Sequence, residues 1–314
     1  MGRKVKLLML YTIDELNEQL QYNEKESKLY IPNEVYKDLE KSEIKNTHIP
    51  FAFSYYYLIC WIYRYTKYGT INNMDNKKFK KILGYSPTYP EIDYIIKKNG
   101  LLDQMEYTST VKDFPISWTF EDNFLEFDLL SDLDEETQKI IKQQFSRKYS
   151  IKLPFKAFHR TKESEDDKYL DGTFYEVDNT HMIPFEVFLF CMSKKELGCT
   201  SFYLWCYLKM QNQIFNGGYD ISLDDLSIET GIPRSTMCGY LNILREYGMV
   251  SCQHNQEFFC LALNEGDKKA NTYTTNEFDN FSNKRVEFNR MKILSVKEFE
   301  KQREIKNEFV ELFN

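Results

Sequence analysis

Apolar residues occupy every face of two long segments. Residues 49–64 read IPFAFSYYYLICWIYR, and residues 201–210 read SFYLWCYLKM. A helix that is hydrophobic on all sides lies buried inside a protein. Shorter stretches indicate further elements, with helices at IDELNEQL and NEVYKDLEK and strands at KVKLLML and SKLYIP. The pattern predicts an α+β fold that is rich in helix.

An internal repeat organises the chain. Residues 46–51 read NTHIPF, residues 179–185 read NTHMIPF, and each leads into an aromatic-rich helical stretch. The match continues, at a separation that drifts only from 146 to 148 residues, with Tyr57 and Tyr203, Cys60 and Cys206, Gly84 and Gly231, and Gly100 and Gly248. An ordered series at a nearly constant separation indicates a duplication. The repeated His48 and His181 are expected to share a structural role, such as capping the helix that follows.

The length of 314 residues favours two domains, each with its own core. The predicted regions are an N-terminal extension over 1–45, a first domain over 46–130, a linker over 131–178 that is basic and then acidic, a second domain over 179–265 and a C-terminal extension over 266–314. The chain ends in SVKEFEKQREIKNEFVELFN, a predicted amphipathic helix. It offers Phe299, Ile305, Phe309, Val310 and Phe313 for packing, either on its own chain or in a homodimer.

Each copy orders an apolar helix, a short helix, a turn, a second helix and a β-rich tail. In the second copy Ser222 precedes the short helix as an N-cap residue, Gly231 makes the turn and Pro233 opens the next helix. Helical spacing then separates two faces. The apolar face holds Met237, Tyr240, Leu241, Leu244 and Tyr247, and the polar face holds Ser235, Gly239, Asn242 and Glu246, with Arg234, Thr236, Cys238 and Arg245 at the borders.

Residues 223–250, LDDLSIETGIPRSTMCGYLNILREYGMV, resemble the helix-turn-helix of winged-helix DNA-binding proteins. In that family the second helix enters the major groove and the wing lies near the backbone or minor groove. The resemblance implies two tandem winged-helix domains with β-wings. The DNA contacts expected in the second copy are Arg234, Ser235, Thr236, Asn242 and Arg245, with His254 and Asn255 at a wing tip between two short apolar runs. Gly239 replaces the family's usual long basic residue and either allows a close approach to DNA or is a tolerated weak position.

The first copy offers lysines as candidate DNA contacts. From Arg64 to Lys98 there are eight basic and three acidic residues. The candidates are Lys77, Lys78, Lys80, Lys81, Lys97 and Lys98. Residues 88–91, TYPE, read as a capping box before a helix that buries Ile92, Ile95 and Ile96. Because Glu91 and Asp93 would repel phosphates, a protein-docking role for this copy stays open.

The net charge of −7 opposes a nucleic-acid partner unless the charges are segregated. Residues 139–162 hold eight Lys or Arg and no Asp or Glu, whereas residues 163–167 read ESEDD. Arg147 and Lys148, within the basic stretch, are further candidates for phosphate contacts. The charge is therefore segregated, as a binding face requires.

No residue pattern indicates catalysis, a metal or a cofactor. The four histidines are scattered, the seven cysteines form no C-x-x-C pair, and Gly217 and Gly218 lack the other residues of a phosphate-binding loop. The cysteines mostly lie in apolar patterns, as reduced core thiols do. Without a secretion signal or an apolar run of membrane length, the chain is expected in the cytoplasm, with no membrane partner.

Two DNA-binding copies in one chain are similar to the plan of plasmid and phage replication initiators, in which paired winged helices grip origin repeats. The resemblance implies sequence-specific binding of double-stranded DNA by a protein that is not an enzyme. A transcriptional regulator that binds a promoter or operator is the alternative. A further alternative is a winged-helix module that docks a component of the replication or transcription machinery.

Overall fold

The computed structural model describes residues 10–71, 74–122, 124–146 and 149–312. Helices and strands form an α+β fold, as predicted, and none of the helices in these ranges is long and apolar enough to cross a membrane. The N-terminal extension contains α1 Ile13–Leu20, β1 Lys28–Pro32 and α2 Val35–Lys41. The first copy contains α3 Ile49–Arg64, α4 Lys67–Thr70, α5 Asn76–Ile82, α6 Asp93–Ile96, α7 Leu101–Gln104, β2 Ser109–Val111, β3 Pro115–Glu121 and β4 Phe124–Leu129.

The linker region contributes α8 Glu135–Gln143, β5 Ile151–Leu153, α9 Phe155–Phe158 and α10 Lys162–Asp166. The second copy contains β6 Thr180–Pro184, α11 Phe185–Met192, α12 Gly198–Ile214, β7 Tyr219–Ile221, α13 Leu223–Thr230, α14 Arg234–Glu246, β8 Val250–Gln253 and β9 Phe258–Phe259. The C-terminal extension contains β10 Asn271–Thr275, β11 Lys292–Ile293 and α15 Val296–Leu312.

The elements predicted at the two chain ends are largely confirmed. Helices α1 and α2 and strand β1 lie where the N-terminal pattern placed them. The strand predicted at KVKLLML lies outside the described residues except for Leu10, which is in no strand. The terminal helix is present as α15, and the Phe299 ring packs on its own chain at 5.9 Å from Phe258. The side chains of Phe309, Val310 and Phe313 lie outside the described part.

The two apolar helices, α3 and α12, pack against each other at the centre of one continuous core. Phe202 of α12 lies 5.9 Å from the Phe53 ring and 4.9 Å from the Tyr57 ring, both on α3. The Trp61 ring is stacked on Phe185 of α11 at 3.9 Å and 7°. Buried residues from Leu16 to Tyr273 belong to this one cluster. The chain therefore has a shared core in place of the two separate cores that its length favoured.

The N-terminal extension is attached to the second copy as well as to the first. Strand β1 pairs antiparallel with β6, with Leu29 opposite Ile183. Helix α2 contacts both α3 and α13. The extension therefore ties the two copies together, where the sequence placed it outside them.

A three-stranded antiparallel sheet follows α12, in the order β7-β10-β8. The predicted hairpin between β8 and the next apolar run is wrong, because β8 pairs with β10 and β9 pairs in parallel with β11. Strand β10 reads NTYTT, and its Tyr273 and Thr275 are buried while Thr274 is exposed, which suits a sheet with one covered face. The sheet therefore crosses the boundary predicted at residue 265.

The first copy departs from this arrangement after α3. The helix predicted before Gly100 is reduced to the single turn α6, and the expected capping box does not form, because Glu91 accepts a hydrogen bond from the Tyr89 hydroxyl instead. A Cβ on Gly100 would lie 2.6 Å from the Ile95 carbonyl oxygen, so the chain turns back directly beneath α6. The buried positions Ile92, Ile95 and Ile96 are as predicted.

Candidate nucleic-acid interface

Helices α13 and α14 meet at a three-residue turn whose sequence determines its shape. The Ser222 hydroxyl caps α13 by accepting from the Asp225 amide at 3.1 Å. Gly231 has φ +68°, a left-handed conformation that favours glycine, and a Cβ there would lie 3.0 Å from Ile49. Pro233 then precedes the first residue of α14. Local residue preferences thus position α14 on the core.

Helix α14 has one buried side and one open side. Met237, Leu241, Leu244 and Tyr247 are buried and Tyr240 is half-buried, which confirms the predicted packing face. On the other side Ser235, Thr236, Cys238 and Gly239 are exposed and Asn242 is half-buried. The polar side is therefore open to solvent in the first half of the helix, from Arg234 to Gly239, and is partly covered beyond it.

Arg234 stands at the N-terminal end of that open side. Its Nε lies 2.8 Å from Oδ1 of Asp224, and both side chains are well exposed, at 61% and 70%. An exposed ion pair of this kind contributes only about 0 to 1 kcal/mol. The guanidinium can therefore exchange this partner for a phosphate or a base. The first turn of α14 has no side-chain cap, and helix N-termini favour anions, so Ser235 and Thr236 suit phosphate contacts.

Arg245, at the border of the open side, is bound to the C-terminal extension. Its Nη2 donates to the Asn289 carbonyl at 2.6 Å, and its guanidinium lies 4.0 Å from the centre of the Phe288 ring. The side chain is half-buried. Its predicted role as a DNA contact is therefore replaced by a tie between α14 and the C-terminal extension.

His254 and Asn255 do not form an exposed wing tip. His254 Nδ1 lies 3.0 Å from Asn271 Oδ1, and Asn255 donates to the Ala270 carbonyl at 2.9 Å and the Thr272 hydroxyl at 2.8 Å. Both side chains are half-buried because they pin the loop after β8 to β10. The exposed cations of this loop are Lys268 and Lys269.

The lysines of α5 have unequal positions. Lys80 is buried, with Nζ 2.5 Å from Asp93 Oδ1 and 2.6 Å from the Tyr89 carbonyl, so its prediction as a DNA contact is wrong. Its ammonium group is directed towards α6, which carries Asp93. Lys81 lies 4.2 Å above the Tyr11 ring, and burial lowers the pKa of the half-buried Lys78. Only Lys77 of this helix is exposed among the four candidates.

Lys97 and Lys98, after α6, are exposed. Lys98 and Lys77 line one groove of about 370 Å³, together with Ser146, Tyr149 and Ser150. The structure therefore brings two of the predicted cations of the first copy together. Arg147 and Lys148 lie outside the described residues.

The other cations of the basic stretch are mostly committed to partners within the chain. Lys152 Nζ lies 2.6 Å from Asp103 with both side chains buried, and burial lowers the pKa of this lysine although Asp103 opposes the shift. Arg160 lies 3.0 Å from Glu34, and Lys162 lies 2.6 Å from Glu165. The local surplus of positive charge is therefore largely neutralised by tertiary contacts that the sequence does not reveal.

The repeated histidines lie in different elements, a 3-10 turn at His48 and strand β6 at His181, and neither side chain caps a helix. His48 Nδ1 lies 3.1 Å from the Tyr94 hydroxyl, and His181 Nε2 lies 2.9 Å from the Tyr36 hydroxyl. His181 also lies 2.9 Å from Asn33 Oδ1, and its burial lowers its pKa to about 3. Within the described ranges, no group of three or more His, Cys, Asp or Glu side chains is arranged to hold a metal ion.

Residues 282–294, which we call the strap, were not among the predicted contacts. The Ser282 amide donates to the Tyr247 carbonyl at 2.8 Å, and the Val286 amide donates to the Glu246 carbonyl at 2.8 Å. At its far end the Leu294 amide donates to Phe259 in β9 at 2.9 Å. The strap therefore runs from the end of α14 to the loop between β8 and β10. The only signal in the sequence is the basic spacing of KRVEFNRMK at residues 284–292.

Comparison with protein-family models, with curated proteins and with solved structures finds no match for this chain. The functional interpretation therefore depends on the geometry of α14, the sheet and the loop.

Proposed function

We propose that the protein binds specific sequences of double-stranded DNA by placing the open side of α14 in the major groove. The observation that carries this proposal is the two-sided character of α14. Its apolar side is anchored in the core, while its polar side and its uncapped first turn with Arg234, Ser235 and Thr236 face solvent. A helix held in this way can present side chains to base edges and phosphates.

The order of elements around α14 supports the same proposal. Helix α12, strand β7, helices α13 and α14, and strands β8 and β10 follow one another as in a winged helix, and the sheet order is β7-β10-β8. The loop between β8 and β10 would then be the wing, with Lys268 and Lys269 exposed on it. Cations at this place suit contacts with the DNA backbone.

Arg234→Ala tests the role of α14 directly. Loss of a base-reading or phosphate-binding arginine is expected to weaken binding by about 1 to 3 kcal/mol. Fluorescence anisotropy with a duplex selected from random sequence measures the change. Lys37→Ala, which removes an exposed charge from α2, is the matched control and is expected to bind as the unchanged chain does.

Asp224→Asn sharpens this test, because it removes the carboxylate that pairs with Arg234 and faces the expected phosphates. We expect affinity to rise by a factor of up to about 5, the equivalent of an exposed ion pair. Unchanged binding in both variants would remove the first turn of α14 from the interface.

The biological role that we favour is a replication initiator of a plasmid or phage, with a transcriptional regulator as the alternative. An initiator is expected to contact directly repeated sites and to bend or melt nearby DNA, whereas a regulator is expected to protect a promoter palindrome. A footprint on DNA fragments that flank the protein's own gene distinguishes the two.

A protein-docking role for the first copy is a second candidate, favoured by its surface charge. Residues 113–130, which include the β3–β4 hairpin, hold five Asp or Glu and no Lys or Arg. If only the second copy binds DNA, the double variant Lys77→Ala and Lys98→Ala keeps nearly the full affinity in the same anisotropy assay. A loss as large as that of Arg234→Ala would instead assign the groove of the first copy to DNA.

A further inference from the structure

The strap connects the two elements that the proposed function places on DNA. One end is hydrogen-bonded to the last turn of α14 through Glu246 and Tyr247, and the other end is paired with β9 within the loop. The strap therefore lies between α14 and the loop, the two elements that the proposed function places against the duplex.

Side-chain contacts hold the middle of the strap in place. The Phe288 ring lies 4.0 Å from the guanidinium of Arg245 on α14 and 5.4 Å from that of Arg290. Met291 accepts a hydrogen bond from the Gln256 side chain at 3.6 Å, and Lys292 pairs with Phe258. Arg290 and Lys292 thus extend from a backbone that is anchored on both sides of them.

The charges of the strap are not all available. Arg285 lies 3.4 Å from Glu246 and 3.7 Å from Glu196, so it serves to hold the strap on the core. Arg290 and Lys292 are exposed, and neither lies within 4.0 Å of a carboxylate among the residues that the structure describes. Arg290 and Lys292 are therefore presented to solvent in the part of the strap that leads to β9, and Lys284 is exposed nearer the end of α14.

We propose that Arg290 and Lys292 bind the phosphate backbone of the duplex, next to the groove that α14 occupies. This inference rests on the proposed function and adds a contact that does not depend on the sequence of the DNA. Each phosphate that a lysine or arginine neutralises releases a condensed counterion, so such contacts make affinity depend steeply on salt. The strap would supply sequence-independent affinity to a protein whose overall charge is negative.

The test is the double variant Arg290→Gln and Lys292→Gln in the full chain. Binding to a 30-base-pair duplex of random sequence is measured by anisotropy across a series of salt concentrations. We expect affinity to fall about tenfold, and the slope of log K against log salt to become shallower by about 2, since each contact contributes about 0.9. The selected duplex should lose affinity by the same factor, because the contact is not specific for sequence.

The matched control is Lys37→Gln with Lys41→Gln, which removes two exposed charges from α2 and is expected to keep the slope unchanged. Circular dichroism and a thermal melt confirm that both double variants are folded. If the strap variant binds like the control while Arg234→Ala still weakens binding, the strap inference is wrong and the proposed function stands. If the unchanged chain fails to bind either duplex at low salt, both are wrong.

Discussion

The two predicted copies match along α3 and α12 and differ in the elements around them. Helices α3 and α12 carry Tyr57 and Tyr203, and Cys60 and Cys206, at matching and fully buried positions. Each repeated histidine also contacts a tyrosine hydroxyl, Tyr94 of the first copy for His48 and Tyr36 of the N-terminal extension for His181. Beyond these helices the second copy builds the 13-residue α14, whereas the first builds the four-residue α6. The duplicated pattern thus describes the core and not the parts that face solvent.

Under the proposed function, this difference predicts a division of labour between the copies. Around α14 the open side is polar and the neighbouring strap is basic, while the β3–β4 hairpin of the first copy exposes Glu121, Glu126 and Asp128. A duplex beside that hairpin would be repelled. We therefore expect the second copy to dominate binding to DNA, and the first copy to serve chiefly as the surface against which the second is held.

Phe202→Ala has the largest expected effect, and it tests whether the copies form one unit. The ring is fully buried and contacts residues of both copies, so its removal should cost about 3 to 5 kcal/mol. Urea unfolding followed by circular dichroism and by tryptophan fluorescence should remain a single transition at a lower midpoint. Phe215→Ala, at a ring that is 48% exposed, is the control. Two transitions, with only one displaced, would show that the copies unfold separately.

His181 and His48 should contribute differently to the loss of stability at acidic pH. His181 has a pKa near 3 in the folded chain against an ordinary value of 6.5, so only the unfolded chain takes up its proton between these values. Stability is therefore lost as pH falls below 6.5, by about 1.4 kcal/mol per unit and about 2 kcal/mol by pH 5.

His181→Gln should remove this part of the pH dependence of unfolding, measured in urea at pH 5 and pH 7. Burial lowers the pKa of His48 in the same direction, and His48→Gln should remove a smaller part. Equal changes in the two variants would contradict the difference in environment.

Gly239→Ala has the smallest expected effect and concerns the surface that only the second copy has. A Cβ at this position meets no atom within 4 Å, so the variant should be more stable by about 1 kcal/mol in thermal or urea unfolding. If the glycine allows α14 to approach DNA closely, affinity falls although stability rises. A gain in stability with unchanged affinity would identify Gly239 as a tolerated weak position.

Local signals in the sequence predicted α13, its turn and α14, together with the buried side of α14. Capping by Ser222, the left-handed Gly231 and helical periodicity are properties of adjacent residues, so they can be read without the fold. Strand pairing and charge pairing depend on distant residues. The partner of β8 lies beyond a long loop, and the burial of Lys80 depends on Asp93 in a different helix. Sequence alone could not show either contact.

The same limit applies to the candidate site. His254 and Asn255 were placed at a tip because their apolar flanks resemble a hairpin, yet their hydrogen bonds to β10 require a strand that the periodicity did not indicate. The strap was not predicted, because its basic residues form no recognisable pattern in the sequence. Only the path of the folded backbone brings them close to α14. Which side chains are available at the surface therefore depends on long-range contacts, whereas the buried positions could be predicted from local periodicity.

The stack of Trp61 on Phe185 has a consequence for any attempt to work with fragments. Trp61 belongs to the first copy and Phe185 to the second, so cleavage in the linker and separation of the pieces would expose a large aromatic surface on each. The separate pieces are expected to aggregate in solution. Helix α14 packs on α12, and α12 packs on α3, so a fragment that keeps α14 in its native setting must contain both copies.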